Sequence, residues 1–269
     1  MGLGFFNAAR LLVVLTLAAT PVSFLQANQG AGGGFAEPGS QAGAALTAWA
    51  VLGLRAANTP VPGALAYLQT HEGDLQTTSD VALVALAEEA LGAHPDALLA
   101  RIRAAEKPSG QVGETLGSTF WAVLALGSAP PGAVHFILAH QSKAGGFSWG
   151  VGVQADSNDT AAALEAFRVA GVTGAPVARA VKFLLGFETK DGGFELTKGR
   201  GSDAQSTAWA IQGLLAAGRR PPHAAFHYLG TMHRPDGSYR YSAQYVTTPV
   251  WVTAQVLAAL ARKTFPLAG

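Results

Sequence analysis

Asp156 and Asp159 stand three residues apart with Ser157 and Asn158 between them. Carboxyl groups are common general acids and bases, so this pair is the chain's candidate for proton-transfer chemistry. Asp80 and Asp203 occupy comparable places, each just ahead of an apolar segment. The plainer role for all four is capping, where an N-cap side chain contributes about 0.5–2 kcal/mol. Other chemistries find less support. The chain has no cysteine, which removes disulfides, thiolate zinc sites and a cysteine nucleophile. His223 and His227 are four apart, at a spacing that could share a metal, but they lack acidic companions. His135, His140 and His233 read as surface residues. There is no Gly-x-Ser-x-Gly elbow and no phosphate loop. No cofactor or metal is expected.

What must position these residues is a repeat. A short motif recurs at Thr47, Ser79, Thr119, Thr160, Thr207 and Thr253, roughly 32 to 47 residues apart, each time introducing a mostly apolar run. Three positions on, Ala50, Ala82, Ala122, Ala163 and Ala210 recur, with Val256 in the last copy. Four positions on, every residue is aliphatic. Six on, all are Gly or Ala; seven on, all are Leu except Phe167. Offsets of three, four and seven lie on one helical face, and the small residues admit a neighbouring helix. Each copy therefore predicts a helix opening at the Thr or Ser.

Between these helices lie amphipathic ones introduced by proline, from about Pro62, Pro95, Pro131, Pro176 and Pro222. Each leads into a turn: Gly145-Gly146-Phe147, Gly192-Gly193-Phe194 and Gly237-Ser238-Tyr239 are the clearest, with Leu75 and Val112 as eroded copies. Glycine suits a helix stop with positive φ, and the aromatic residue re-enters the core. Hydrophobic residues make up 49% and charged residues 13%, so the inner helices must be covered on several sides. The expected fold is all-α: an α/α toroid, a single ring of six inner and about six outer helices. Residues 28–269 form this toroid of six repeats.

The sixth outer helix is missing from the C-terminal end of the pattern. Two readings of residues 1–27 stand. Arg10, the apolar run Leu11 to Ala19 and a cleavage site after Ala27 make a secretory signal, which predicts export to the periplasm or cell surface. Alternatively, Phe24-Leu25, Gln29 and Gly33-Gly34-Phe35 match the spacing of Phe136-Ile137, Gln141 and Gly145-Gly146-Phe147. Leu11 to Gln29 is then a retained outer helix, and the protein is cytoplasmic. Neither reading gives a membrane span, which needs about 20 apolar residues.

If the uniform face packs outward, offsets two and five face the lumen. Offset two carries Trp49, Val81, Trp121, Ala162, Trp209 and Gln255; offset five carries Leu52, Val84, Leu124, Glu165, Gln212 and Ala258. The tryptophans either line a cavity for an apolar or amphipathic ligand or fill the barrel. Trp251, just before the sixth inner helix, is a rim candidate. Parallel inner helices would also gather unsatisfied N–H groups on one rim, favouring anionic groups. The formal charge is +1 with no basic run, which offers no footprint for nucleic acid.

Over about residues 22 to 262 these repeats resemble the squalene cyclase and protein prenyltransferase superfamily. The resemblance implies the toroid; activity is a separate matter, because the superfamily includes enzymes and carriers. In prenyltransferase β subunits, zinc is held by an Asp-x-Cys and a later His. Asp203 fits the Asp, Gln205 stands in the Cys position, and no His lies between Tyr245 and Thr253, so no such zinc site is implied. Class II terpene cyclases use Asp-x-Asp-Asp-Thr-Ala with the middle Asp as the acid. Here Asp156-Ser157-Asn158-Asp159-Thr160-Ala161 places Asn158 in the acid's position. Such cyclases usually combine two helical domains, and this chain has room for one. Cobalamin carriers share the Asp-Thr-Ala-Ala opening but add a β-rich domain that this chain lacks.

The expectation is thus a non-catalytic toroid binding a small apolar or amphipathic molecule, of isoprenoid kind, through Asp156, Asn158, Asp159, Glu165, Asp203, Gln212, Trp49, Trp121, Trp209 and Trp251. The alternatives are a diverged cyclase-like or prenyl-transferring enzyme using Asp156 or Asp159, and a scaffold whose outer face binds a protein partner.

Overall fold

The computed structural model describes residues 19–267. Nearly all of the apolar run from Leu11 to Ala19 lies outside the described residues. The helices in chain order are α1 (Pro21–Ala27), α2 (Ala44–Ala56), α3 (Ala64–Thr70), α4 (Thr78–Ala90), α5 (Asp96–Ala104), α6 (Leu116–Ala125), α7 (Ala133–Ala139), α8 (Ser157–Val169), α9 (Ala175–Leu185), α10 (Ala204–Ala216), α11 (His223–Met232) and α12 (Pro249–Leu260). Even-numbered helices are inner and odd-numbered ones outer. Each inner helix packs on the next, and α12 packs on α2 to close the ring. This is the expected all-α toroid.

Small residues set the spacing between inner helices. A Cβ on Gly53 would lie 2.5 Å from the Ala254 carbonyl oxygen, and one on Gly213 would lie 2.7 Å from the Ala161 Cα. Backbones therefore meet directly at these crossings. Any side chain larger than hydrogen would force the helices apart.

The repeated threonine has a specific task. The Thr47, Thr160, Thr207 and Thr253 hydroxyls each accept the backbone N–H of a turn aromatic (Phe35, Phe147, Phe194 and Tyr239) at 2.9 Å. Thr119 does the same for Val112 at 3.1 Å. All five threonines are fully buried, so the bond removes a buried orphan donor. The second repeat has no such bond, since Ser79 and Leu75 are its eroded equivalents. These residues do not open the helices, as their position suggested. Thr47, Thr119, Thr160 and Thr207 are fourth residues, because caps such as Thr115, Asp156 and Asp203 start the helix earlier.

The outer layer is complete. Among the described residues α1 supplies the sixth outer helix, packed between α12 and α2 with Leu25 fully buried. Gln29 repeats the bonds of Gln141. Gln29 Nε2 donates to the Gly33 and Pro62 carbonyls, both at 2.9 Å; Gln141 Nε2 donates to those of Gly145 and Pro176 at 2.8 and 2.9 Å. The turn glycine Gly237, at φ +87°, lets the last turn reach α1: a Cβ there would sit 2.4 Å from the Thr20 carbonyl oxygen.

Candidate functional site

The N-terminal ends of the inner helices form one rim, and its N–H groups are largely taken. In five repeats the residue two past the apolar residue of the turn caps the preceding inner helix. Glu37 accepts from the Val250 and Trp251 N–H groups, both at 2.9 Å. Glu114 accepts from Thr78 N–H and Oγ1 at 3.2 and 3.0 Å. The carbonyls of Trp149, Leu196 and Tyr241 accept from Gly117, Ser157 and Ala204 at 2.8, 3.2 and 2.7 Å. The expectation of unsatisfied rim donors is therefore corrected. The chain supplies its own acceptors, two of them carboxylates placed where a helix dipole favours negative charge.

Asp156 and Asp203 are N-caps. Asp156 accepts the Asp159 N–H at 2.9 Å, and Asp203 accepts both N–H and Oγ of Ser206, at 2.6 and 2.9 Å. Burial raises the Asp203 carboxyl above the usual range. Asp80 is not a cap. Its α4 is capped by Thr77, whose hydroxyl donates to Asp80 Oδ2 at 2.7 Å.

Asp159 differs from these. It makes no capping bond with its side chain, and burial together with the adjacent Asp156 carboxylate pushes its carboxyl up to about 9. Two close carboxylates in a desolvated site cannot both ionise, so the pair retains a proton at neutral pH. Asn158 between them is half-buried, its Oδ1 accepting the Ser157 hydroxyl at 3.1 Å.

The lumen holds the three tryptophans together. Trp49, Trp121 and Trp209, from alternate inner helices, meet edge to face with ring centroids 5.6 to 5.9 Å apart. This fixes offset two as the lumen face and fills the barrel at that level. Trp121 is half-buried, so the layer is not wholly closed off. One turn nearer the rim on the same face stand Asn158, Gln205 and Trp251, all half-buried. Trp251 lies inside α12 rather than before it, because Pro249 and the Glu37 carboxylate start that helix.

Toward the other mouth Glu165 and Gln212 meet the C-terminal segment. Glu165 Oε1 accepts the Phe265 N–H at 3.2 Å, Arg168 Nη2 donates to the Phe265 carbonyl at 2.6 Å, and Gln212 Nε2 donates to the Lys263 carbonyl at 3.3 Å. The Phe265 ring lies 6.1 Å from Trp49. Burial pushes the Glu165 carboxyl up to about 8. Glu165 Oε2 and both amide atoms of Gln255 are buried without a partner.

The site candidates thus divide into a rim group (Asp156, Asn158, Asp159, Trp251), a mid-lumen tryptophan layer, and a lower group (Glu165, Gln212); Asp203 stands apart on the outer side of the rim. There a cleft of about 340 Å³ is lined by Asp191, Arg200, Asp203, Tyr228, Tyr241 and Tyr245. Sequence reasoning missed Phe265, Glu37 and Glu114. No repeat element marks Phe265. The two glutamates share one repeat position, a signal hidden because three other repeats use a backbone carbonyl there. His223 and His227 are exposed, and no group of three or more metal-ligating side chains occurs among the described residues.

Comparison with protein-family models and with curated proteins gives no match. Among solved structures the chain is similar to the type II terpene cyclase MstE from Scytonema in complex with its product, merosterolic acid A, at 18% identity and a TM-score of 0.67, over 90% of this chain and 94% of that one. A protein from Actinoplanes matches at 19% identity and a TM-score of 0.70, over 90% and 97%. The ent-copalyl diphosphate synthase from Streptomyces platensis matches at 19% identity and a TM-score of 0.58, over 81% of this chain and 50% of that one. The chain has the toroid fold of terpenoid cyclases. The match to MstE also corrects the size argument: a type II terpene cyclase exists at single-ring length.

Proposed function

We propose that this toroid binds a small apolar or amphipathic molecule of isoprenoid kind on the rim side of its tryptophan layer, without protonating it in the manner of a type II cyclase. The observation that carries this reading is the three-indole layer, in which Trp121 is only half-buried and above which Trp251 stands one turn nearer the rim. Close contact among the indoles favours a ligand above them over one passing through the lumen. Asn158, in the position of the cyclase acid, supports the absence of that chemistry, since an amide has no proton of the required acidity. MstE, of similar fold, has been captured with geranylgeranyl dihydroxybenzoate as its substrate.

Native mass spectrometry with geranylgeraniol tests the reading. A one-to-one complex is expected, weakened at least about tenfold by Trp251→Ala, the usual effect of removing a central aromatic anchor, and the recovered ligand is unchanged. Failure to bind sinks the reading.

A second reading rests on the Asp159 proton. A cyclised product, abolished by Asp159→Asn, would make this pair the acid of a diverged enzyme. For the N-terminal segment, the packing of α1 between α12 and α2 supports retention of residues 20–27 in the folded protein. No helix among the described residues is long and apolar enough to cross a membrane.

A further inference from the structure

No stretch of the sequence is basic, yet the fold gathers four cations around one groove on the outer face. Lys143 comes from the turn after α7, Arg179 and Lys182 from α9, and Lys198 from the turn after α9. All four are exposed. The groove encloses about 760 Å³ and has Phe183 and Phe187 among its lining residues. Their rings pack with centroids 5.0 Å apart. Among the described residues no carboxylate lines it. Lys198 lies 4.7 Å over the Phe187 ring and 3.8 Å from Glu195 Oε1, and Arg179 donates to Gln141 Oε1. Among the described residues Lys143 and Lys182 have no ion-pair partner.

The next repeat has a cleft in the corresponding place, between successive turns and against α11. There the lining is Asp191, Asp203 and three tyrosines, with Arg200 as the single cation. The architecture makes a cleft at both places but does not dictate a cationic one. A volume of this size is in the usual range for small-molecule sites, and cations around an aromatic floor suit a ligand with an anionic head and an apolar chain.

We propose that this groove binds a soluble amphipathic anion, a phosphate or carboxylate carried on an isoprenoid or acyl chain. The site is separate from the tryptophan layer and does not depend on it. Lys143 and Lys182 hold the head, and Phe183 and Phe187 receive the start of the chain.

Calorimetric titration of the whole protein with farnesyl phosphate, farnesol and inorganic phosphate tests the site. Farnesyl phosphate should bind best, each half-ligand at least about tenfold more weakly, because head and chain contribute together. The double variant Lys143→Glu/Lys182→Glu should lose at least about tenfold for farnesyl phosphate, since two attractions become repulsions, while geranylgeraniol binding at the rim is unchanged. Both lysines are exposed and outside the core, and an unchanged melting temperature confirms an intact fold. Phe183→Leu, which keeps an apolar floor, should retain binding.

A double variant that binds farnesyl phosphate like the wild type overturns the proposal, as does one that loses farnesol as much as farnesyl phosphate. Sedimentation with phosphatidylglycerol vesicles, without binding of free farnesyl phosphate, would show a membrane-docking face and overturn it too. Loss of geranylgeraniol binding by Trp251→Ala alone bears on the rim reading and leaves this one standing.

Discussion

At the scale of single residues, the threonine column shows how a repeat can be plain in sequence while its purpose is not. The recurrence of Thr47, Thr119, Thr160, Thr207 and Thr253 is visible from spacing. What each hydroxyl does depends on a turn seven to fourteen residues upstream in sequence, which no helical periodicity reports. Thr207→Val keeps the shape and strands the Phe194 N–H in the core. We expect a loss of about 1–3 kcal/mol for an unsatisfied buried donor, measured by urea unfolding. The tryptophan column was legible for a different reason: alternate inner helices carry it at one offset, so a shared face follows from helix geometry alone. Phe265 was not legible, because it lies beyond the last repeat and reaches Trp49 only through the chain's return over the lumen.

Asp159 makes a second residue-scale prediction. Its carboxyl rises from 3.8 unfolded to about 9 folded, so the native state binds the proton more tightly. The stability from this group is fully present below the unfolded value and is lost as pH climbs through about 9. Glu165, raised from 4.5 to about 8, acts in the same direction. Asp159→Asn should flatten the fall in melting temperature between about pH 5 and pH 9 relative to wild type. An unchanged slope would place the proton elsewhere.

At the scale of elements, prolines located the outer helices within a few residues, since a fixed φ suits a first turn. The element that sequence left between two readings was α1. The run from Leu11 to Ala19 ahead of it reads as a signal or as the start of a retained helix and lies almost wholly outside the described residues, so the contacts speak only for Pro21–Ala27. Leu25 is fully buried against the α12 and α2 seam, and Gln29 ties α1 to the start of α3. A protein beginning at Asn28 loses Leu25 and uncovers one flank of α12. We expect it to melt below a protein beginning at Thr20, by an amount corresponding to about 2–5 kcal/mol, comparable with removing a buried leucine. Equal melting temperatures would show that α1 is dispensable and would favour cleavage after Ala27.

At the scale of the whole molecule, ring closure was predictable because the repeats number six and each inner helix is apolar nearly all round. The self-capped rim was not, since it is a relation between one repeat and its neighbour rather than a property of either. That relation makes the rim a poor anion site despite six parallel helix ends, and it leaves the outer groove beside α9 as the place where positive charge is free to act.

The seam between α2 and α12 also governs how the protein is made. The other inner-helix contacts join neighbours in sequence, so they can form as the chain leaves the ribosome. The seam joins α2 to α12, with Gly53 against Ala254, and must wait for the roughly 200 residues between them, on the order of 10 to 40 s at ordinary rates of synthesis. Throughout that interval Leu25 has no α12 to pack on, and the nascent protein is an open solenoid with two unpaired apolar flanks. α1 therefore precedes the other described helices in the chain and is among the last of them to be buried, because its main partner α12 is made so much later.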